Sequence, residues 1–463
     1  MSALFHLYLC GRIAAEWLIT MEESSFFGTE RIGRILLKIA PPVMLAQFIQ
    51  ALYNIVDSFF VGKYSNDALT ALTVIYPLQL IIIALAVGTG VGVNTYMARK
   101  YSQGRNEDAE KTAGTGTVLA FLSWIVFATV SFLLMKPYVR TSASTPQAVE
   151  DAITYGNIVC LGSLATLLEG NWSKVHQSRG NMRLPMLGQV FGALTNIILD
   201  PLLIFGIGPC PEMGVAGAAY ATIAGQFVAA VIVGVRGYRR PPKFREMLHY
   251  AKKIYFYGYS SILMQALYTV YIVVLNIILA GFSDAAVTVL GLYYKMQSFF
   301  FIPLYGLQTC VVPVLSFNYA RDSYDRCREM MTKAFLISLV FMLVGIVCFV
   351  GFPAQTISLF STSEEVHAIG RVAFPIIGTS FVFAVFSLMT PVFFQAIGQG
   401  LISLFLTLLR QIFTLVPVFW AFSLIGLNYT WIAFPVAELT AGGVGYLLYR
   451  RVLRKWHRKE AGV

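Results

Sequence analysis

Twelve apolar stretches, parted by short polar breaks, constrain this 463-residue chain more than any other feature. They cover about 34–61, 74–98, 113–135, 152–175, 185–207, 214–235, 257–281, 287–316, 331–352, 368–394, 401–425 and 429–449. A membrane-crossing helix needs roughly 20 mainly apolar residues, and it satisfies its own backbone polar groups where no water can. Barrel strands would instead show as alternating segments of about ten residues, and none is found. Charged residues make up 12% of the chain, against about 25% in soluble domains, which excludes a water-soluble, disordered or fibrous fold. The expectation is an all-α integral membrane protein with twelve transmembrane helices, multi-pass in the inner or plasma membrane of the cell.

Loop charges give the expected orientation. Arg31, Arg34 and Lys38 stand at the start of the first stretch, and Arg99, Lys100, Arg105 and Lys111 follow the second. Lys174, Arg179 and Arg183 are assigned to the fourth break, and further bases fill the sixth and eighth breaks and the tail, whereas the odd-numbered breaks hold only Lys63, Lys136 and Arg140 between them. Basic loops stay in the cytoplasm, so both termini are expected there and the span count is even. This distribution also accounts for the net charge of +11 without nucleic acid, since a basic tail beside anionic lipid suffices. The six cysteines show no paired or CxxC spacing, so neither a disulfide framework nor a zinc site is indicated. Residues 1–20 read as an N-terminal appendage or a misassigned start, with Met21 as the natural one.

The chain repeats itself at half its length. Gln50-Ala-Leu-Tyr53 recurs as Gln265-Ala-Leu-Tyr268, an offset of 215 (265 − 50). Gly62, Ser65 and Asp67-Ala68 recur near Gly281, Ser283 and Asp284-Ala285, and Gln177 and Gly180 recur as Gln395 and Gly398, offset 218 (395 − 177). Six spans per half return the chain to its starting side, so the halves are parallel copies about a pseudo-two-fold axis normal to the membrane, a transporter arrangement. The expected division is an N-lobe at 21–240, a C-lobe at 241–450 and a basic tail at 451–463.

Of 23 acids, only Asp57, Glu169, Asp200 and Glu438 fall inside these stretches. A carboxylate at helix centre costs about 2.5–3.5 kcal/mol on insertion scales, which makes it a functional candidate. Glu169 and Glu438, single acids without an obvious partner, read as helix–helix contacts or end residues. Asn196 and Asp200 are four apart and project from one helix face. At 1.5 Å per residue, Asp57, Asp200 and Thr222 fall at similar depth in the outer half. Two carboxylates, a carboxamide and a hydroxyl are hard oxygen ligands. They suit a small cation such as Na+, one proton shared by desolvated carboxylates, or structural hydrogen bonding. Under the repeat, Asp57 corresponds to Ile272 or Asn276 and Asp200 to Val418, which points to one cation site, in the N-lobe.

Pro41-Pro42 permits a kink or hinge in the first span. Lys295 and Arg410 are intramembrane bases that could pair or snorkel. Gln47, Tyr53, Met264, Gln265 and Phe299 are candidate liners of a substrate cavity, the aromatic ones by cation–π contact. No GxxxxGK, HExxH or GxSxG occurs, so neither ATP hydrolysis nor a common hydrolase is indicated.

The runs Gln50-Ala-Leu-Tyr-Asn-Ile-Val-Asp57-Ser-Phe-Phe-Val-Gly62, Thr195-Asn-Ile-Ile-Leu-Asp-Pro201 and Gly217-Ala-Ala-Tyr-Ala-Thr222, with Leu409-Arg-Gln411 and Gln395-Ala-Ile-Gly398, resemble the multidrug and toxic compound extrusion (MATE) family. The resemblance covers about residues 25–455. It implies a two-lobe antiporter, not an enzyme, which expels organic, often cationic, compounds against inward movement of H+ or Na+ and needs no other cofactor. It carries a cation site onto Asp57, Asn196, Asp200 and Thr222, and a bending point onto Pro42. A monomer in the bilayer is expected. The alternative is a flippase or exporter of lipid-linked precursors on a related fold, which predicts a more basic central groove.

Overall fold

The computed structural model describes residues 26–142, 145–208, 210–358 and 363–460, so the segment 1–20 lies outside the described residues. Among the described residues ten helices are long and apolar enough to cross a bilayer, and two bent pairs bring the spans to twelve when each pair is taken as one. Taken in chain order, the twelve spans follow the twelve apolar stretches one for one. The helix Asn66–Ser102 has 37 residues, about 55 Å at 1.5 Å per residue, against a hydrocarbon core of about 30 Å. Its ends, with Asp67 at one and Arg99 and Lys100 at the other, therefore reach past the lipid tails. Exposed Leu122, Val126, Val130, Leu133 and Leu134 form one apolar face of the third span, the surface that lipid covers.

The two bent spans have local causes. The eighth is Ala285–Phe300 and Ile302–Tyr319 at 54°; Pro303, at the start of its second half, has no N–H to continue the ladder. The tenth is Glu364–Gly378 and Phe381–Ala396 at 55°. At its bend the hydroxyls of Thr379 and Ser380 donate to the carbonyls of Ile376 (2.7 Å) and Ile377 (2.6 Å), offering the backbone an alternative to the helix ladder.

The repeat is visible in local geometry. Ser65 caps the second span by accepting from the amides of Asp67 and Ala68, and Ser283, 218 positions on (283 − 65), caps the eighth by accepting from Ala286. Gly180 and Gly398, also 218 apart, both take left-handed backbone at φ 86° and 84°, which a side chain would oppose. Each ends a long helix and turns the chain into the next.

All the base-rich segments meet on one face. Lys459 of the tail pairs with Asp322 at 2.9 Å, and Arg326 donates to the carbonyls of Phe27 and Glu30 at 2.8 and 2.6 Å. Arg321 donates to Ser102 O at 2.9 Å. Glu110 pairs with both Arg179 and Arg239, and Lys111 with Glu246 at 2.9 Å. The described ends of the chain and every even-numbered break thus share a side, as an even span count requires. Asp322 adopts φ 55°, and the Tyr324 hydroxyl and Lys459 ammonium beside it hold its carboxyl below the usual carboxylate range.

Two apolar cores form the lobes. One gathers Ile75, Ile82, Phe127, Tyr155 and Val215, the other Leu304, Val311, Phe335, Phe374, Phe381 and Trp431. The first span, Ile32–Tyr64, belongs to both. Ile32, Ile35, Leu36, Ile39 and Val43 are part of the C-lobe core, while Val61 joins the N-lobe core. This helix therefore packs against residues on both sides of position 240. It runs on through Pro41 and Pro42 without interruption, although each proline removes one ladder donor.

Candidate functional site

The fifth span, Arg183–Ile204, and the sixth, Gly214–Gly237, touch backbone to backbone. A Cβ on Gly192 would lie 2.7 Å from Gly225 O, and one on Gly225 would lie 2.6 Å from Gly192 O. Small residues allow such approach between helices in lipid, where packing rather than hydrophobicity holds them together. One turn from this contact stand Asn196 on one helix and Thr222 on the other, both buried, with Asp200 a further turn along and fully buried. The first span packs against the fifth and brings buried Asp57 close enough to Asp200 for the two carboxyls to interact electrostatically.

Asn196 Nδ2 donates to Asp200 Oδ1 at 3.3 Å. Four other oxygens, Asp57 Oδ1, Asn196 Oδ1, Asp200 Oδ2 and Thr222 Oγ1, are buried without any hydrogen-bond partner. Buried polar groups are nearly always paired, and an ionised carboxylate out of water is costly unless a proton or cation neutralises it. Those four atoms come from the four residues singled out in the sequence. Among the described residues no group of three or more His, Cys, Asp or Glu is placed to hold a metal ion, so the donor set is two carboxylates supplemented by neutral oxygens. Tyr155 borders the group: its hydroxyl accepts from Gln79 Nε2 at 3.3 Å, and Asp57, Tyr53 and Thr222 are its neighbours.

A cavity of about 430 Å³ opens beside this cluster, within the N-lobe. Gln47, Tyr53, Asn196 and Thr222 line it. Asp57 and Asp200 each lie one helical turn beyond a lining residue, Tyr53 and Asn196 respectively. Met264, Gln265 and Phe299 stand outside its lining. They were expected as cavity liners, but this cavity is walled by the first, second, fourth, fifth and sixth spans, with Thr309 the one C-lobe liner. Met264 instead accepts from Ser403 Oγ at 3.4 Å, and Phe299 meets Phe48 edge-on at 6.4 Å.

The cavity also holds charges that the sequence reading placed elsewhere. Glu169 lines it, accepting from Ser173 Oγ at 2.8 Å and Gln189 Nε2 at 3.3 Å. Lys174, read as a loop base, lies inside the helix Leu164–Ser178 and lines the same wall, donating to Gln177 Oε1 at 2.8 Å. The recurrence of polar residues at Glu169, Ser173 and Gln177, one turn apart, was the signal available for this wall.

In the C-lobe, Arg410 pairs with Glu438 at 2.9 Å, both nearly buried, and Ser387 donates to the other Glu438 oxygen. Glu438 thus has the partner that the sequence did not reveal. Arg410 lies in a widened π-helical turn, Leu409–Leu415, and Lys295 is exposed. The acid of the C-lobe is neutralised internally, whereas among the described residues Asp57 and Asp200 of the N-lobe have no base against them.

Substituting Gly225 by valine should force the fifth and sixth helices apart and cost about 1–3 kcal/mol, as overpacking does. Thermal unfolding should register that loss, and transport should fall more steeply than the melting temperature alone implies. Unchanged transport at reduced stability would show that the spacing of these helices does not set the site.

Comparison with known proteins agrees with this architecture. A family model described as MatE matches residues 42–202 and, again, 260–420, 218 positions apart (260 − 42). That offset sets the buried, apolar Leu275 opposite Asp57 and Val418 opposite Asp200. The chain is 25% identical over 441 residues to a protein of Shewanella oneidensis named FAD transporter, covering 91% of this chain and 95% of that protein. It is 24% identical over 367 residues to a probable multidrug resistance protein, NorM, of Thermotoga maritima, covering 75% and 76%. A crystal structure of a MATE protein in complex with MaL6 superposes with a TM-score of 0.87 at 24% identity, covering 94% of this chain and 99% of that one.

Proposed function

The chain belongs to the MatE family, a multi-pass membrane transporter and not an enzyme, and from that premise we propose that it is a cation-coupled efflux antiporter for organic, often cationic, compounds. The observation that carries this reading is the set of four unpartnered buried oxygens on Asp57, Asn196, Asp200 and Thr222, set beside a cavity that can hold a small molecule. The coupling cation, H+ or Na+, is cargo. When it enters, it neutralises the carboxylates and gives those oxygens a partner. The first span carries Asp57 and also supplies the cavity wall through Gln47 and Tyr53. Its adjustment to the cation therefore alters the substrate's binding surface directly, with Pro42 as the bending point.

Hydrogen bonds and ion pairs join the halves on the base-rich face. With that face in the cytoplasm by the positive-inside rule, the described state is closed inward. Substrate would load in the alternate state from the cytoplasm or inner leaflet. It would leave when the cation binds from outside, since reciprocal coupling requires the two ligands to favour different states.

The test is dye efflux from proteoliposomes under sodium and pH gradients imposed separately. One gradient is expected to drive accumulation against the dye's own gradient and the other to do little. Efflux indifferent to both would remove the antiport reading. A second reading has its own support: Lys174 in the cavity wall suits a substrate that carries an anionic group, such as the flavin nucleotide in the name of the Shewanella relative. Competition of dye efflux by a flavin nucleotide distinguishes it. The lipid-linked precursor reading predicts a basic central groove, whereas Arg410 is paired with Glu438 and Lys295 is exposed.

A further inference from the structure

A second cavity, of about 450 Å³, lies between the lobes on the base-rich face. Its walls carry Arg99, Lys100 and Arg105 from the N-lobe and Lys253 from the C-lobe, with Asp108 as the one acid. Asp108 is already shared. It pairs with Arg105 at 2.6 Å and more loosely with Lys100 at 3.9 Å, and it accepts from the Tyr250 hydroxyl at 2.7 Å. Four bases against one acid leave an excess of three positive charges.

Two of the four bases, Lys100 and Arg99, are held in place, whereas Arg105 and Lys253 are exposed at the mouth. The Lys100 side chain is only 12% exposed, with its ammonium 5.1 Å from the centre of the Tyr96 ring. Arg99 is fixed over Tyr257 and bonded to Ala396 O at 3.0 Å, and its Nε is buried without a partner. Like charges confined this way repel, and a doubly charged anion with several acceptor oxygens would relieve all of them together.

We infer that this interlobe pocket binds a phosphate group and that the bound anion holds the two lobes together on this face. The phosphate can come from an anionic lipid headgroup, since the pocket sits where the helices leave the bilayer, or from a soluble phosphate compound. Its ligands come from both lobes, so separation of the second and seventh spans would split the site, and by linkage the anion favours the joined state. Binding itself needs no transport reading; only its effect on the cycle rests on the antiporter proposed above.

The experiment uses the full-length protein in nanodiscs. In pure phosphatidylcholine it is titrated with inorganic phosphate against chloride at equal ionic strength. In a parallel arm, phosphatidylglycerol is mixed equally with phosphatidylcholine and no phosphate is added. The readouts are melting temperature and amide hydrogen exchange over 96–108 and 249–257. Either anion is expected to raise the first and slow the second, and the arm that responds identifies the source. Lys100→Gln/Lys253→Gln should weaken the apparent affinity about tenfold or more, the scale of lost charge-assisted bonds. Exposed Lys253→Gln alone should do so partially without loss of fold. No response in either arm beyond that of chloride overturns the inference, as does a response unchanged in the double variant. Anion binding that persists where neither a sodium nor a pH gradient drives efflux would leave this site standing and sink the antiporter.

Discussion

Asp57→Asn and Asp200→Asn are each expected to leave a folded membrane protein whose gradient-driven efflux has fallen by about tenfold or more. Coupling between two ligands is typically 1–3 kcal/mol, roughly 5–150-fold, and here it depends on carboxylates that have no basic partner of their own. Asparagine keeps the shape and removes the charge that a cation would neutralise. The same variants supply an equilibrium check. A ligand that binds only the folded form raises stability by RT ln(1 + [L]/Kd), so sodium, if it is the coupling ion, should raise the melting temperature of the parent and not of the variants. Full efflux in both variants, driven by either gradient, would eliminate the cation site.

The second large effect belongs to the other lobe. Arg410→Ala leaves Glu438 buried beside Ser387 with no countercharge, and breaking one partner of a buried pair costs about 3–5 kcal/mol. Replacing both together, Arg410→Met with Glu438→Leu, should recover most of that loss, because well-packed apolar residues of similar volume are often neutral in place of such a pair. Thermal unfolding of the two variants beside the parent measures the difference. If the double variant is as unstable as the single one, the pair does not account for the cost. Efflux retained by the double variant would assign the pair to scaffolding.

Helix number and the repeat were legible because they rest on apolar length and on residues that punctuate helices, whereas helix ends were not: the seventh span begins at Phe244, 13 residues (257 − 244) before its apolar stretch. The bilayer demands the apolar length, and Ser65, Ser283, Gly180 and Gly398 supply the punctuation. Asp57, Asn196, Asp200 and Thr222 were legible for a related reason: polar groups are rare in such stretches, and their spacing from the helix ends gives their depth. What was hidden depends on neighbours from distant parts of the chain. Glu438 looked solitary because Arg410 is 28 positions away and only the packing of the eleventh and twelfth spans unites them. Lys174 looked like a loop base because charge marks most breaks, yet its helix extends to Ser178. Met264, Gln265 and Phe299 lie outside the described cavity, whose walls are set by helix packing that no spacing in the sequence reveals. The halves share a backbone plan, but the described cavity belongs to one of them.

The first span is a rod anchored at one end in one block and at the other end in its twin. Any rearrangement near Asp57 therefore reaches the joint between the blocks along a single piece of covalent chain. Traffic through such a machine needs no relay of intervening side chains, and the two prolines in its first third set how stiffly one end answers the other.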